Sequence, residues 1–523
     1  MQDTTSLGIS SRDPPRCSVN ALPPELLWRI FMINTEHEED LDEWSIQCTQ
    51  IDDPMDRLGT ARSCSQVCRL WRRLLLQLPS VWGRLLHVPS FEHAADAWRE
   101  VITKRIGNAP LWITGDIESN STRLFIMPIL EEKWHNVQVL DVTDEHLYRD
   151  MILPTWSFLE REAPMLEIFK LWTYRGIFDE TETRILPFSP LFNDHAPRLK
   201  VFSADNSLLT LPAPWLSNLD YIKFSDMQSM LSILSALTSM PLLRHLYISG
   251  NKARQSMVDS NVVISKLNKP HLPLLEVLWI GTGDPLALCL LLESITLSPG
   301  QHALRTLRIP RVDKTPLDTS QQRVNRAITK WIHSYMDGFP PNYLRLRDCN
   351  RVLTLSDTHS PCLHDGMEVE LVSDGHSHLI IENIADSPQI SLVKELDVSL
   401  YEVTEAIRWP LQPLYQALRS ITHLAAEGYC IGALFHDMLQ FSLFPNLRTI
   451  TLSGLNTFTD NHTRTGSASV IPEIINFLEH RASIGSHLSL LDLSSVNPPG
   501  VSDRNRERLE KIRGLSVKFW EQD

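Results

Sequence analysis

Apolar residues follow a helical spacing in the first part of the chain. In 19–33 they share one face and come after a pair of prolines suited to a first helical turn. The members of that face are Leu26, Leu27, Ile30 and Phe31. The same spacing returns over 60–78 and again over 91–106, while 34–59 is acidic and rich in turn-forming residues. The pattern therefore predicts a helical hairpin joined by an acidic surface loop, followed by a third helix.

A different pattern begins near residue 110. An apolar residue, two others, an apolar residue, one other and a further apolar residue recur, as in the strand of a leucine-rich repeat. The matching segments are 137–142, 166–171, 199–204, 219–224, 243–248, 275–280, 304–309, 393–398, 421–426, 447–452 and 488–493. Their spacing is irregular but close to one strand plus one helix. We predict that each segment is a short strand and that neighbouring strands stack to bury their apolar sides.

The repeats are interrupted between residues 310 and 390. A helix is predicted over 320–336, where apolar residues have helical spacing. Short strand-like pieces separated by turn signals follow it: 343–347, 351–356, 367–372 and 378–384. We expect this section to be rich in β-structure and to continue the sheet of the repeats.

These patterns predict an α/β protein with two main parts. A small all-helical module occupies 19–88, after a disordered tail at 1–18, and a helical linker or cap covers 89–136. A leucine-rich-repeat-like domain fills 137–523, with a curved, largely parallel sheet and helices outside it. The oligomeric state is not predicted by the pattern.

Composition and charge narrow the range of partners. The chain has 523 residues, a net charge of −14 and a pI near 5.8, so neither nucleic acid nor a membrane is expected as a partner. No apolar run is long enough to span a bilayer, and the start lacks the pattern of a signal peptide. The eight cysteines are scattered, which is typical of reduced thiols in the cytoplasm or nucleus.

Catalytic signatures are scarce. The chain contains no phosphate-binding glycine loop, no nucleophile elbow and no metalloprotease motif, so we expect neither enzymatic activity nor a cofactor. The strongest metal candidate is a group of polar residues beside two Asp-Gly turns: His359, Cys362, His364, Asp365, His376 and His378. Their spacing matches no structural zinc site, and ordinary turn residues explain them more simply, so no metal is predicted.

The hairpin sequence resembles a known family. ALPPELLWRIF at 21–31, followed by SQVCRLWRRLLLQLPSVWGRLLHV at 65–88, resembles the F-box-like motif of mushroom-forming fungi, in which an LP-x-E-L-L helix precedes a V-C-x-x-W-R phrase. The resemblance implies a substrate receptor of an SCF-type ubiquitin ligase, in which the F-box binds a Skp-type adaptor and the repeats hold a target protein. The adaptor contacts it implies are Leu22, Pro23, Leu26, Leu27, Ile30, Phe31, Val67, Cys68 and Trp71.

Two alternatives stay open at this point. In the first, the chain is a repeat scaffold and the hairpin is a degenerate F-box that only caps the repeats. In the second, a hydrolase or metal site lies within 340–390, which requires His364, Asp365, His376 and His378 to converge. The target protein is unknown, and candidate contacts beside the strands are Arg244, His245, Tyr247, Trp279, Arg305 and Arg308.

Overall fold

The computed structural model describes most of the chain in seventeen stretches. These are 22–35, 54–144, 156–173, 190–204, 211–224, 229–249, 269–281, 285–296, 304–309, 319–349, 352–358, 366–372, 378–400, 405–427, 430–454, 470–495 and 501–519. The tail expected at 1–18 and most of the acidic loop lie outside them. The chain divides into two compact units, Met1–Arg175 and Gly176–Asp523.

The described residues of the first unit contain six α-helices. They are α1 (Pro24–Ile33), α2 (Pro54–Val67), α3 (Arg69–Leu76), α4 (Pro79–Gly83), α5 (Asp96–Ile106) and α6 (Asn120–Lys133). The helix predicted over 19–33 therefore begins at Pro24, where the Pro23 carbonyl accepts the N–H groups of Leu26 and Leu27 at 3.0 and 3.2 Å. Pro24 at the first helical position loses nothing, because that N–H has no partner within a helix.

Two details of the helical prediction were wrong. The loop predicted to reach residue 59 ends earlier, because α2 already begins at Pro54. The helix predicted over 60–78 is broken at Cys68, whose φ of −156° and ψ of 170° are extended. The Cys68 Sγ accepts the backbone N–H of Trp71 at 3.4 Å and so caps α3. Cysteine is not among the usual helix-capping residues, so the sequence does not indicate that a helix begins here. The apolar spacing also continues across the break.

Four parallel strands also lie in the part of the first unit that the structure describes. They are β1 (Leu86–His87), β2 (Leu111–Ile117), β3 (Val137–Asp144) and β4 (Ile168–Thr173), paired in that order. The helix predicted over 91–106 begins later, at Asp96. The stretch 89–136 is consequently more than a helical linker, since it contributes β2 to the sheet.

The second unit contains thirteen strands and eight helices in its described residues. The strands are β5 (Val201–Ala204), β6 (Tyr221–Phe224), β7 (His245–Ile248), β8 (Val277–Ile280), β9 (Thr306–Ile309), β10 (Tyr343–Cys349), β11 (Val352–Ser356), β12 (Gly366–Val372), β13 (Glu395–Leu400), β14 (His423–Glu427), β15 (Thr449–Ser453), β16 (Leu490–Ser495) and β17 (Ser516–Phe519). The helices are α7 (Met230–Leu237), α8 (Pro285–Ser294), α9 (Thr319–Gly338), α10 (His378–Ala385), α11 (Glu405–Ala417), α12 (Cys430–Phe441), α13 (Ile471–Ser483) and α14 (Asp503–Glu510).

In the sheet of this unit, the strands β10, β11 and β12 lie in the reverse of their order along the chain. Strands β5 to β9 are parallel neighbours, and so are β13 to β17, but β9 pairs with β12 and β10 pairs with β13. Between β10 and β12 lies β11, which is antiparallel to both. The section after 310 therefore does continue the sheet. The mixed α/β class with largely parallel strands is confirmed.

One predicted strand in this section is a helix. Residues 378–384 lie in α10, where Ile380, Ile381 and Ile384 are buried at helical spacing. The run is short and rich in β-branched residues, which favour strands, so spacing and residue type conflict. Burial of the isoleucine face decides the outcome.

Every segment with the repeat pattern contains a strand. All three apolar positions in each of the eleven segments are buried, with at most 4% of the residue exposed. Several of the segments follow a phrase in which proline precedes the first leucine by two residues. In these phrases the leucine N–H bonds to the carbonyl of the residue before proline, as in Leu199 to Ala196 at 3.2 Å and Leu447 to Phe444 at 3.1 Å. The proline thus occupies the second position of a β-turn, which its fixed φ favours.

Candidate protein-interaction surface

Helix α1 has two apolar faces. Leu27, Phe31 and Met32 are buried on one of them. Leu26, Ile30 and Ile33 are spaced four and three residues apart, so they share another face of the helix. They are 48%, 44% and 58% exposed. We call these three residues the α1 stripe.

The buried face of α1 packs against α3. The Phe31 and Trp71 rings meet edge to face with their centroids 5.2 Å apart, a favourable arrangement for two aromatic rings. The Trp71 Nε1 is buried and has no hydrogen-bond partner in the described part of the chain. Asn34 at the end of α1 donates to the Arg57 carbonyl of α2 at 3.2 Å. Contacts to both α2 and α3 thus fix α1, while the α1 stripe faces away from them.

The break at Cys68 separates apolar residues that the helical spacing had joined. Val67 ends α2 and is 63% exposed, whereas Leu75 of α3 is buried. Leu76, the last residue of α3, is 43% exposed. An unbroken helix would have placed Val67 on the face of Leu75, so the extended Cys68 is what turns Val67 toward solvent.

The structure divides the nine residues predicted to contact an adaptor. Leu26, Ile30, Val67 and Pro23 are exposed, and Leu22, Cys68 and Trp71 are partly buried. Leu27 and Phe31 are buried and hold the hairpin together. The sequence reasoning missed three exposed apolar residues on the same helices: Trp28, Ile33 and Leu76. Ile33 continues the spacing of Leu26 and Ile30, so a separate count of each helical face could have found it.

The hairpin helices differ in charge from the rest of the chain. Helices α1 and α3 carry four exposed arginines, Arg29, Arg69, Arg72 and Arg73, against the single carboxylate of Glu25. The whole chain has a net charge of −14. An apolar surface bordered by arginine favours a partner with an apolar groove and acidic surroundings.

Two further predicted sites have different outcomes. His359, Cys362, His364, Asp365 and His376 lie outside the described residues, and His378 begins α10. The convergence required for a hydrolase or metal site therefore stays a prediction. Among the residues that the structure describes, no group of three or more histidine, cysteine or acidic side chains is arranged to hold a metal ion. None of the described helices has the length and apolar character needed to cross a membrane.

The candidate target contacts lie beside neighbouring strands. Tyr247, Trp279 and Arg308 are aligned across β7, β8 and β9, and the first two rings are 6.2 Å apart. Tyr247 is buried, whereas Arg308 is partly exposed and pairs with Glu368 at 3.3 Å. Arg244 is exposed and lies between two carboxylates.

Those two carboxylates belong to the residues directly before β6 and β8, the two strands that neighbour β7. The Arg244 guanidinium lies 3.3 Å from Asp220 and 3.1 Å from Glu276. Arg305 is exposed, and His245 is partly buried beside Tyr221 at 6.2 Å between ring centroids. The six residues therefore do not form one open surface, because charge pairing and burial occupy most of them.

Comparison with known proteins adds no assignment. No protein-family model and no curated protein matches this chain.

Proposed function

We propose that this protein is a non-enzymatic adaptor, a substrate receptor of an SCF-type ubiquitin ligase. In this proposal the N-terminal hairpin is an F-box that binds a Skp-type adaptor. The strands and helices after it form an irregular leucine-rich-repeat domain that holds a target protein. The resemblance of the hairpin sequence to the F-box-like motif supplies the class of partner.

The observation that carries the proposal is the α1 stripe. A helix that needed only to pack on α3 would require one apolar face, and α1 has a second one turned to solvent. Exposed apolar stripes of this kind mark surfaces that receive a partner helix or groove. Burying a leucine or isoleucine side chain contributes roughly 1.5–3 kcal/mol, so three such residues can anchor an interface.

A second candidate function also has support. The buried Leu27 and Phe31, and the hydrogen bond between α4 and α3, fit a hairpin that caps the first strands of the sheet. The Trp82 Nε1 of α4 donates to the Leu75 carbonyl of α3 at 2.7 Å, and Trp82 is 1% exposed. A pure cap explains the buried face of α1 but gives no role to the α1 stripe.

The test measures adaptor binding with the full chain. A purified Skp-type adaptor is immobilised and its affinity is measured for the wild type, for the Leu26→Glu/Ile30→Glu double variant and for Leu124→Glu. Leu124 is 57% exposed on α6, so its substitution is a matched control. All three positions are solvent-facing, and circular dichroism should therefore show the same folded state for each protein.

The proposal predicts capture by the wild type and by Leu124→Glu, with a loss of about 100-fold in affinity for the double variant. If the folded wild type does not bind the adaptor, the hairpin is a cap. Equal binding by wild type and double variant would move the interface away from the α1 stripe.

A further inference from the structure

Arginine and tryptophan side chains alternate in a stack within the first unit. The Arg62 guanidinium carbon of α2 lies 5.3 Å from the ring centroid of Trp98 in α5. The Arg105 guanidinium, also in α5, lies 5.3 Å from the Trp98 centroid and 4.5 Å from that of Trp82 in α4. The order is therefore Arg62, Trp98, Arg105, Trp82, with each neighbouring pair inside the range of a cation–π interaction.

The stack contacts α2, which carries Val67, and α3, which carries Leu76. It starts on α2 at Arg62, and it ends at Trp82, whose Nε1 donates to the Leu75 carbonyl of α3 at 2.7 Å. On the other side, α5 leads through Gly107, with its φ of +51°, and a short connection into β2. Helix α5 thus contacts both α2 and α4 through the stack and is followed directly by the strand β2.

Arg105 occupies the centre of this arrangement. Burial lowers the pKa of its guanidinium, whose carbon lies between the Trp82 and Trp98 rings, 4.5 and 5.3 Å from their centroids. Its sequence neighbour Lys104 is instead exposed and pairs with Glu100 at 2.7 Å. Arginine suits the central place because its flat, weakly hydrated cation stacks on aromatic rings.

We infer that the Arg62–Trp98–Arg105–Trp82 stack is a clamp that holds α2 and α3 on α5, which makes Arg105 and Trp98 positioning residues for the interaction surface of the hairpin. With the clamp closed, that surface has a fixed orientation relative to β2 and β3 of the same unit. The effect of the clamp on adaptor binding rests on the proposed function. The role of the clamp in holding the helices together does not rest on it.

Hydrogen–deuterium exchange of the full-length protein tests the clamp. The variants are Arg105→Met, which keeps the stem and removes the cation, Arg105→Lys, which keeps a cation, and Lys104→Met as the control on the same helix. Arg62→Met removes only the exposed end of the stack, so it serves if Arg105→Met does not fold. Amide exchange is compared between 62–76 and the strands β2 and β3.

The clamp predicts at least about 10-fold faster exchange across 62–76 in Arg105→Met, with β2 and β3 within twofold of the wild type. Arg105→Lys should recover part of the protection, Lys104→Met should change nothing, and Arg62→Met should raise exchange in α2 alone. Unchanged exchange in 62–76, or an equal rise in β2 and β3, overturns the inference. Adaptor affinity is measured in parallel and should fall in Arg105→Met and recover in part in Arg105→Lys, because the surface loses its fixed orientation although the stripe is intact. If even the wild type binds no adaptor while the exchange result holds, the proposed function fails and the clamp stands.

Discussion

Arg481 of α13 offers a sharp test of how the second unit is held together. Arg481 is 5% exposed, and its guanidinium donates to the carbonyls of Phe444, Pro445 and Ser486 at 3.0, 3.0 and 3.2 Å. Those acceptors include the β-turn that introduces β15. The substitution Arg481→Met keeps most of the side-chain volume and removes every one of these donors.

The expected magnitude follows from the contacts. A hydrogen bond from a charged donor contributes roughly 1.5–3 kcal/mol. The Phe444 carbonyl keeps the Leu447 N–H at 3.1 Å, and Pro445 and Ser486 are not buried, so the loss is that of the hydrogen bonds themselves. Removal of a buried charge offsets part of the loss, because the guanidinium no longer has to be desolvated, as its lowered pKa indicates. We expect a net loss of about 3 kcal/mol in the local opening free energy around β15.

Native-state hydrogen exchange measures this loss directly. The reporter is the amide of Leu447, which bonds to the Phe444 carbonyl at 3.1 Å, and its exchange should accelerate roughly 100-fold. The control is Arg508→Met, since Arg508 is 40% exposed at its side chain and its pair with Glu479 is expected to contribute little. Exchange at Leu447 within twofold of the wild type, or slower, would refute the reasoning, because the buried cation would then cost as much as its hydrogen bonds return.

Two further predictions have a defined sign. Burial holds the pKa of Asp357 above its usual range. Between the pKa values of the unfolded and folded states, the folded protein therefore keeps a proton that the unfolded chain has released. The free energy of unfolding should fall as the pH rises above about 4, until the pKa of the folded state is passed. Asp357→Asn should remove that slope in urea titrations between pH 4 and 7, and identical profiles for both proteins would contradict it. Burial also raises the pKa of Cys289 to about 12 and raises that of Cys430, so alkylation of the native protein at pH 8 should label the partly buried Cys68 before either of them. Peptide mass spectrometry checks the order, and equal labelling of Cys289 and Cys68 would count against it.

The strands were the most predictable part of this fold. Each repeat segment places three apolar residues on the side that must be buried, so leucine positions such as Leu199 and Leu447 mark the strands even where the spacing varies. Strand order was less accessible. The antiparallel β11 and the pairing of β9 with β12 join residues far apart in sequence, and no local pattern records which strands become neighbours.

The candidate interaction surface was predictable only in part. Apolar spacing identified the two faces of α1 together, but it did not show that Phe31 turns inward against Trp71 while Ile30 turns outward. That division depends on where α3 lies, and the position of α3 depends on the break at Cys68. A cysteine that caps a helix through its sulfur has no distinctive sequence signal, so the consequence for Val67 could not be foreseen.

The most direct test of the central claim is photocrosslinking from the α1 stripe. A benzoylphenylalanine side chain is introduced at Ile33 in one protein and at Leu124 in another, and each is irradiated with a Skp-type adaptor. A crosslinked adaptor is expected from position 33 and none from position 124, because Ile33 continues the exposed apolar face of α1 while Leu124 lies on α6. A folded protein that yields no crosslink from position 33, or equal crosslinks from both positions, would contradict adaptor binding through the α1 stripe.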